Sequence, residues 1–202
     1  MTELKTKLLI SICTVSLAVV ILFAFDAQIW MFIRKVTPHN FNFILKMLSK
    51  WGLYFFYSIF ASLFIYSIFE KNRKLKDLCL AYLKAQVIFS FAVVRGMKIF
   101  FGRARPRYGG EFIFFSLDYK YNSFPSGHSA DAFVSGVFLF YLLKNSSYSE
   151  YRFLPLIFAS LMALLRVILG VHYPSDILVG AAIGILGAYF IISKRPEYLL
   201  RN

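Results

Sequence analysis

The sequence predicts an all-α, polytopic membrane protein. The expected architecture is one domain, residues 1–202, built as a six-transmembrane-helix bundle with an interfacial amphipathic helix between spans one and two. Three observations carry this. Apolar residues make up 59% of the chain, where soluble domains run at about 45–50%. The mean hydropathy is +0.64. The apolar residues also gather into windows of about 18 or more residues with few charges, the length a helix needs to cross roughly 30 Å of hydrocarbon.

The first span is expected over Leu8–Phe25. Lys5 and Lys7 before it resemble the start of a signal peptide. The apolar run is too long for one, however, and no small-x-small cleavage pattern follows, so a retained span is expected. Residues 26–50 change texture: "QIWMFIRKV" and "FNFILKMLSK" mix aromatics with Lys and Arg. An interfacial amphipathic helix fits that mixture, with Thr37-Pro38 as a helix start; a plain connecting loop is the alternative. The remaining spans are expected at Trp51–Phe69, Leu78–Phe101, Ala130–Leu143, Phe153–Gly170 and Asp176–Ser193, the fourth opening near Ser126. Cys13 and Cys79 lie inside apolar runs and read as small fillers, not as a disulfide framework.

The formal net charge is +13. In a soluble chain this would suggest nucleic acid. In a membrane chain it points to cytoplasmic loops, anionic headgroups or an anionic substrate, and no nucleic-acid partner is expected. The loop "EKNRKLKD" carries four basic residues and the tail "SKRPEYLLRN" three. Both are expected in the cytoplasm, together with the two termini. The bias becomes clear only when the basic cluster at 95–107 is set aside as functional.

Three stretches then fall on one side of the membrane: "RGMKIFFGRARPR" (95–107), "PSGH" (125–128) and "RVILGVHYPSD" (166–176). Lys98, Arg105 and Arg166 are cations at the boundary, where ionisable residues are rare and usually functional. Arginine forks match phosphate oxygens and lysine adds a point charge, so the three suit a phosphoryl group. Snorkelling to headgroups is the competing reading, and it weighs more for Arg103 and Arg107. Arg95, one turn before Lys98, fits either role. Ser126 is a natural N-cap, which leaves the amides of Gly127 and His128 at the positive end of a helix, where anions bind. Asp131, one turn in, suits the helix dipole and reads as structural or supporting. His172 stands four residues before Asp176, whose carboxylate can accept a ring N–H, fix the tautomer and free the other nitrogen to attack. His128 can then protonate a leaving oxygen. His39 has no such company.

Lys98-(six residues)-Arg105-Pro106, then Pro125-Ser126-Gly127-His128, then Arg166-(five residues)-His172-(three residues)-Asp176 resembles the three-part signature of the type 2 phosphatidic acid phosphatase superfamily. The motifs cover about 80 residues, and the expected six-span layout resembles the family's membrane branch. The resemblance implies a nucleophilic His172 that forms a phosphohistidine, Asp176 orienting it, and His128 as general acid. It implies that Lys98, Arg105, Arg166, Ser126 and the Gly127 amide hold the phosphate. It also implies no metal and no cofactor, and the sequence has no carboxylate or cysteine cluster with ligand spacing. One position departs from the pattern: Leu165 stands where the family commonly has Ser before the Arg.

The expected activity is hydrolysis of a lipid phosphate or lipid pyrophosphate at the periplasmic face of a bacterial inner membrane. The partners are then the anionic lipid phosphate itself and the surrounding membrane lipids. Lipid A, phosphatidylglycerophosphate, phosphatidic acid and undecaprenyl pyrophosphate are the candidates. A lipid-to-lipid phosphotransferase would share the first half-reaction, and a nonenzymatic headgroup binder would share the cations. A transporter would not need His172 paired with an acid, and the chain lacks the internal repeats common in transporters. The segment 26–50 and the loop 108–124, with Glu111 and Asp118, are expected to shape headgroup choice.

Overall fold

The computed structural model describes residues 20–37 and 42–194. Residues 8–19 of the first expected span, Lys5, Lys7, Cys13, His39 and the tail from 195 lie outside the described residues. The architecture is helical. Helix α1 covers 20–36, and α2 runs Asn42–Phe69. A third rod is continuous from α3 (Arg73–Ala85) through a π-helical segment (Gln86–Val93) into α4 (Val94–Phe101). Helices α5 (Gly127–Lys144), α6 (Leu154–Ile168) and α7 (Pro174–Ser193) complete the bundle. Among the described residues the only β pairing is an isolated bridge, Arg103 to Phe112.

Among the described residues, four helical stretches are long and apolar enough to cross a membrane: Phe43–Phe69, Arg73–Phe101, Ser149–Ile168 and Pro174–Ser193. Helix α5 is not among them, for a reason visible in its packing. It is the central helix, burying Ser129, Ala130, Ser135, Gly136 and Phe138 against its neighbours. A helix surrounded by protein can carry small and polar residues that a lipid-facing helix cannot.

The expected interfacial helix is absent as a separate element among the described residues. Residues 26–36 continue α1, and residues 42–50 are the opening turns of α2. Thr37 lies at the end of α1, its hydroxyl donating to the Ile33 carbonyl at 2.7 Å, and Pro38, the other half of the expected helix start, lies outside the described residues. The physical reason is that neither 26–36 nor 42–50 contains a Pro or Gly, so the aromatic and basic mixture in each stretch stays helical.

Sequence punctuation sets the other ends. The side chain of Asn72 caps α3 by accepting from the Leu75 amide at 3.0 Å. Gly102 closes α4 at φ +49°, a left-handed conformation that favours glycine. A Cβ there would also collide with the Ile113 carbonyl. Pro174 opens α7 at its first turn, two residues before Asp176.

Helices α5 and α7 cross closely. A Cβ on Gly180 would strike the Ser126 carbonyl, and one on Gly184 the Ala130 carbonyl. This is small-residue packing at a four-residue spacing. It sets the N-terminus of α5 against the N-terminus of α7, where the Ser126 amide donates to the Asp176 carbonyl at 2.9 Å. Toward the other end, Phe60, Tyr82 and Phe138 interlock, Phe60 stacking on Tyr82 with centroids 3.6 Å apart.

Candidate active site

The C-terminal ends of α4 and α6 and the N-terminal ends of α5 and α7 meet at one end of the bundle. Residues 102–126 cover this end as a hydrogen-bonded cap. The Ala104 amide donates to Glu111 O at 2.6 Å, Arg105 N to Lys120 O at 2.9 Å and Ser123 N to Arg103 O at 3.0 Å. The Phe124–Pro125 peptide is cis.

All three motifs converge here. His172 is buried, 3% exposed, in the turn between α6 and α7. Its Nδ1 lies 3.5 Å from Asp176 Oδ2, longer than a normal hydrogen bond. The expected ring N–H bond to Asp176 is thus an approach rather than a formed bond, because three other donors already hold that carboxylate. Arg103 Nη1 donates to Oδ1 at 2.7 Å, while Ser123 Oγ (2.5 Å) and the Tyr173 amide (2.9 Å) donate to Oδ2. Around it, Arg103 donates to Ser175 Oγ and to Asp26, and the Ser175 amide donates to Asp26, which locks the same turn. Burial pushes the His172 imidazole down to about 4, the Lys98 and Arg166 charges acting in the same sense and Asp176 opposing them. His172 is therefore neutral at ordinary pH, the form in which a ring nitrogen can attack.

His128, in the first turn of α5, lies within electrostatic reach of His172, Arg166, Lys98 and Arg105. Lys98 Nζ donates to the carbonyls of Asn122 (2.6 Å) and Ser123 (3.4 Å), just ahead of the PSGH turn. Arg105 is buried, stacked 4.0 Å over the Tyr119 ring, and bonds the Val171 carbonyl beside His172 at 3.3 Å. Arg166 Nη1 donates to Ser49 Oγ on α2 at 3.0 Å. Ser126 is fully buried and its Oγ accepts from the Ser129 amide at 3.4 Å, so its side chain serves the cap. The Gly127 and His128 amides belong to the helical turn that lacks intrahelical acceptors. Leu165, the departure from the family pattern, packs into the apolar core.

A cavity of about 480 Å³ opens beside His128 and Arg166 and reaches Lys46, Lys50, Tyr57 and Asp131. Asp131 bonds the Tyr57 hydroxyl and so faces the cavity as well as supporting its helix. Arg95, Glu111 and Asp118 are exposed, and Asp118 caps the short helical turn at 119–121.

Five residues join the site without a motif to announce them. Arg103 does not snorkel: it is 4% exposed and bridges Asp176 and Asp26 at 2.7 and 2.9 Å. Its guanidinium is also packed between the Phe23, Phe112 and Tyr173 rings at 5.2, 5.2 and 4.1 Å. Asp26, Ser123 and Ser175 complete that buried network, and Ser49 holds Arg166. The available signal was Asp26, an acid closing an apolar run, since such residues mark functional sites.

A helical membrane bundle that gathers these three motifs at one end is the PAP2 class of protein. Residues 51–198 match the PAP2 superfamily, and the chain belongs to it. Lipid A 1-phosphatase of Rhizobium etli is 35% identical over 109 residues, 52% of this chain and 45% of that protein. The chain thus spans less than half the length of the curated relatives it first matches. Among solved structures, LpxE of Aquifex aeolicus superposes with a TM-score of 0.64 at 23% identity, covering 83% of this chain and 94% of that one. The first transmembrane PAP2 type phosphatidylglycerolphosphate phosphatase from Bacillus subtilis gives 0.62 at 20% identity, covering 92% and 96%. These two likenesses establish the shared fold.

Proposed function

We propose that this chain is a membrane-embedded phosphatase that hydrolyses a lipid phosphate monoester or lipid pyrophosphate through a phosphohistidine, without metal or cofactor. One observation carries the reading: a buried, neutral His172 beside Asp176, with His128 and three cations around it at one helix end. Lys98, Arg105, Arg166 and the Gly127 amide hold the phosphoryl oxygens and the charge that develops on them. The free ring nitrogen of His172 attacks phosphorus, and the bond to the leaving oxygen breaks as His128 donates a proton to it. His128, now neutral, takes a proton from water. The water oxygen attacks the phosphohistidine, which releases phosphate and restores His172.

The names of relatives support lipid A and phosphatidylglycerophosphate as substrates; phosphatidic acid and undecaprenyl pyrophosphate have the same reacting group. We place α1 and α5 in the membrane as well, giving one domain of six spans. The basic loop 70–77 and both termini then lie in the cytoplasm, and the site faces the periplasm across a bacterial inner membrane.

The test is phosphate release by the detergent-solubilised protein from a panel of these lipids, with EDTA present, beside His172→Ala. The expected result is release that survives chelation and is lost in the variant. Lipid binding without release, unchanged in His172→Ala, would overturn the hydrolase in favour of a headgroup binder. Release that needs a second lipid would favour the phosphotransferase.

A further inference from the structure

The cavity beside His128 and Arg166 has a second cationic pole that the reaction does not use. Its volume of about 480 Å³ lies in the range of sites that take a whole small ligand, roughly 300–1,000 Å³, and a single phosphoryl group leaves most of it empty. The inner wall is His128 and Arg166; the outer wall is α2, which contributes Lys46 and Lys50. The two lysines are four residues apart and therefore share one helix face. Ser49, immediately before Lys50, is buried and accepts the Arg166 bond, so the register of α2 at this wall is tied to the phosphate site itself. Among the described residues neither lysine has an acidic partner. Asp131 is the acid on the cavity wall, and it is engaged by Tyr57. An anion in the outer cavity is therefore drawn toward the lysines and away from Asp131.

We propose that Lys46 and Lys50 form a second anion subsite, which binds a further phosphoryl group of the same lipid while the first is held at His128 and Arg166. This deepens, and rests on, the hydrolase reading above. The second group is either the terminal or inner phosphate of a diphosphate, or a separate phosphate on the headgroup; both present the same chemistry to two mobile ammonium groups. Ordinary snorkelling would instead raise attraction to every anionic lipid alike.

The experiment compares kcat/KM within two substrate pairs at fixed ionic strength. One pair is farnesyl diphosphate and farnesyl phosphate; the other is phosphatidylglycerophosphate and phosphatidic acid. In Lys46→Gln/Lys50→Gln the preference for the member with two phosphates should fall at least tenfold in one pair, mainly through KM, and Lys46→Arg/Lys50→Arg should restore it. The pair that responds names the source of the second phosphate. An equal fall for both members of both pairs overturns the subsite. A parallel titration with inorganic pyrophosphate and orthophosphate needs no turnover. It is read by the fluorescence of Trp51, whose ring lies 5.9 Å from Lys50 Nζ. Tighter pyrophosphate binding that disappears in the Gln variant supports the subsite even in a protein that hydrolyses nothing. Indifference between the two anions in the wild-type protein overturns it. Absence of hydrolysis alone bears only on the proposed function.

Discussion

At the scale of single residues, the site is governed by what holds Asp176. That carboxylate is fully buried and accepts from Arg103, Ser123 and the Tyr173 amide. Arg103→Ala would leave two buried acids, Asp26 and Asp176, without their cation. Breaking such a pair costs about 3–5 kcal/mol, so the variant should lose thermal stability and phosphate release together. Arg103→Ala with unchanged melting temperature would refute this. His128→Ala should lower release on the order of 10²–10⁴-fold, the usual worth of general acid catalysis, while lipid binding persists. His172 gives a pH signature. Its folded pKa, about 4, is depressed below the unfolded value of about 6.5, so the unfolded chain binds the proton first. Stability from this group is present above about pH 6.5 and is lost as pH falls through 4, a difference of about 3 kcal/mol at the acid limit. The melting temperature of the wild-type protein should therefore fall more steeply between pH 6.5 and 4 than that of His172→Gln. Parallel curves would refute the assignment.

At the scale of elements, the sharpest demand falls where α7 crosses α5. Gly180 and Gly184 leave no room for a Cβ against the Ser126 and Ala130 carbonyls. Gly184→Ala should force the helices apart at a cost of about 1–3 kcal/mol, typical of overpacking. Because the same crossing sets Ser126 against Asp176, release should fall with it; full activity in a stable Gly184→Ala protein would count against this geometry. This element also shows what a sequence can and cannot disclose. Lys98, Arg105, His128, Arg166, His172 and Asp176 could be picked out from motif spacing, and the structure gathers them at one end of the bundle. Ser126 was legible as a cap. Arg103 was not, because a basic residue at a boundary looks the same whether it reaches headgroups or a buried acid 73 positions away. The boundaries of α2 were misread because Lys46 and Lys50 interrupt the apolar pattern without interrupting the helix. Helix α5 was easier to find by its motif than by its hydropathy, since its neighbours are protein.

At the scale of the whole molecule, the motif-bearing end and the basic turn 70–77 lie at opposite ends of the third rod, α3 to α4. The orientation proposed above puts the basic turn in the cytoplasm and the motif-bearing end on the opposite side. In a Cys13→Ser/Cys79→Ala background, Glu111→Cys should react with an impermeant maleimide added to intact spheroplasts, and Asn72→Cys only after permeabilisation. The reverse pattern would place the site in the cytoplasm. The Asp26–Arg103 bridge has its own reach. It fastens the first helix, a segment lying wholly outside the region 51–198 shared with the family, to the turn that carries His172. Edits to that helix, such as a fusion partner placed against it or a natural variant within it, are therefore edits to the proposed site. A survey of orthologues that trimmed its comparison to the shared region would discard one of the groups that hold the His172 turn in place.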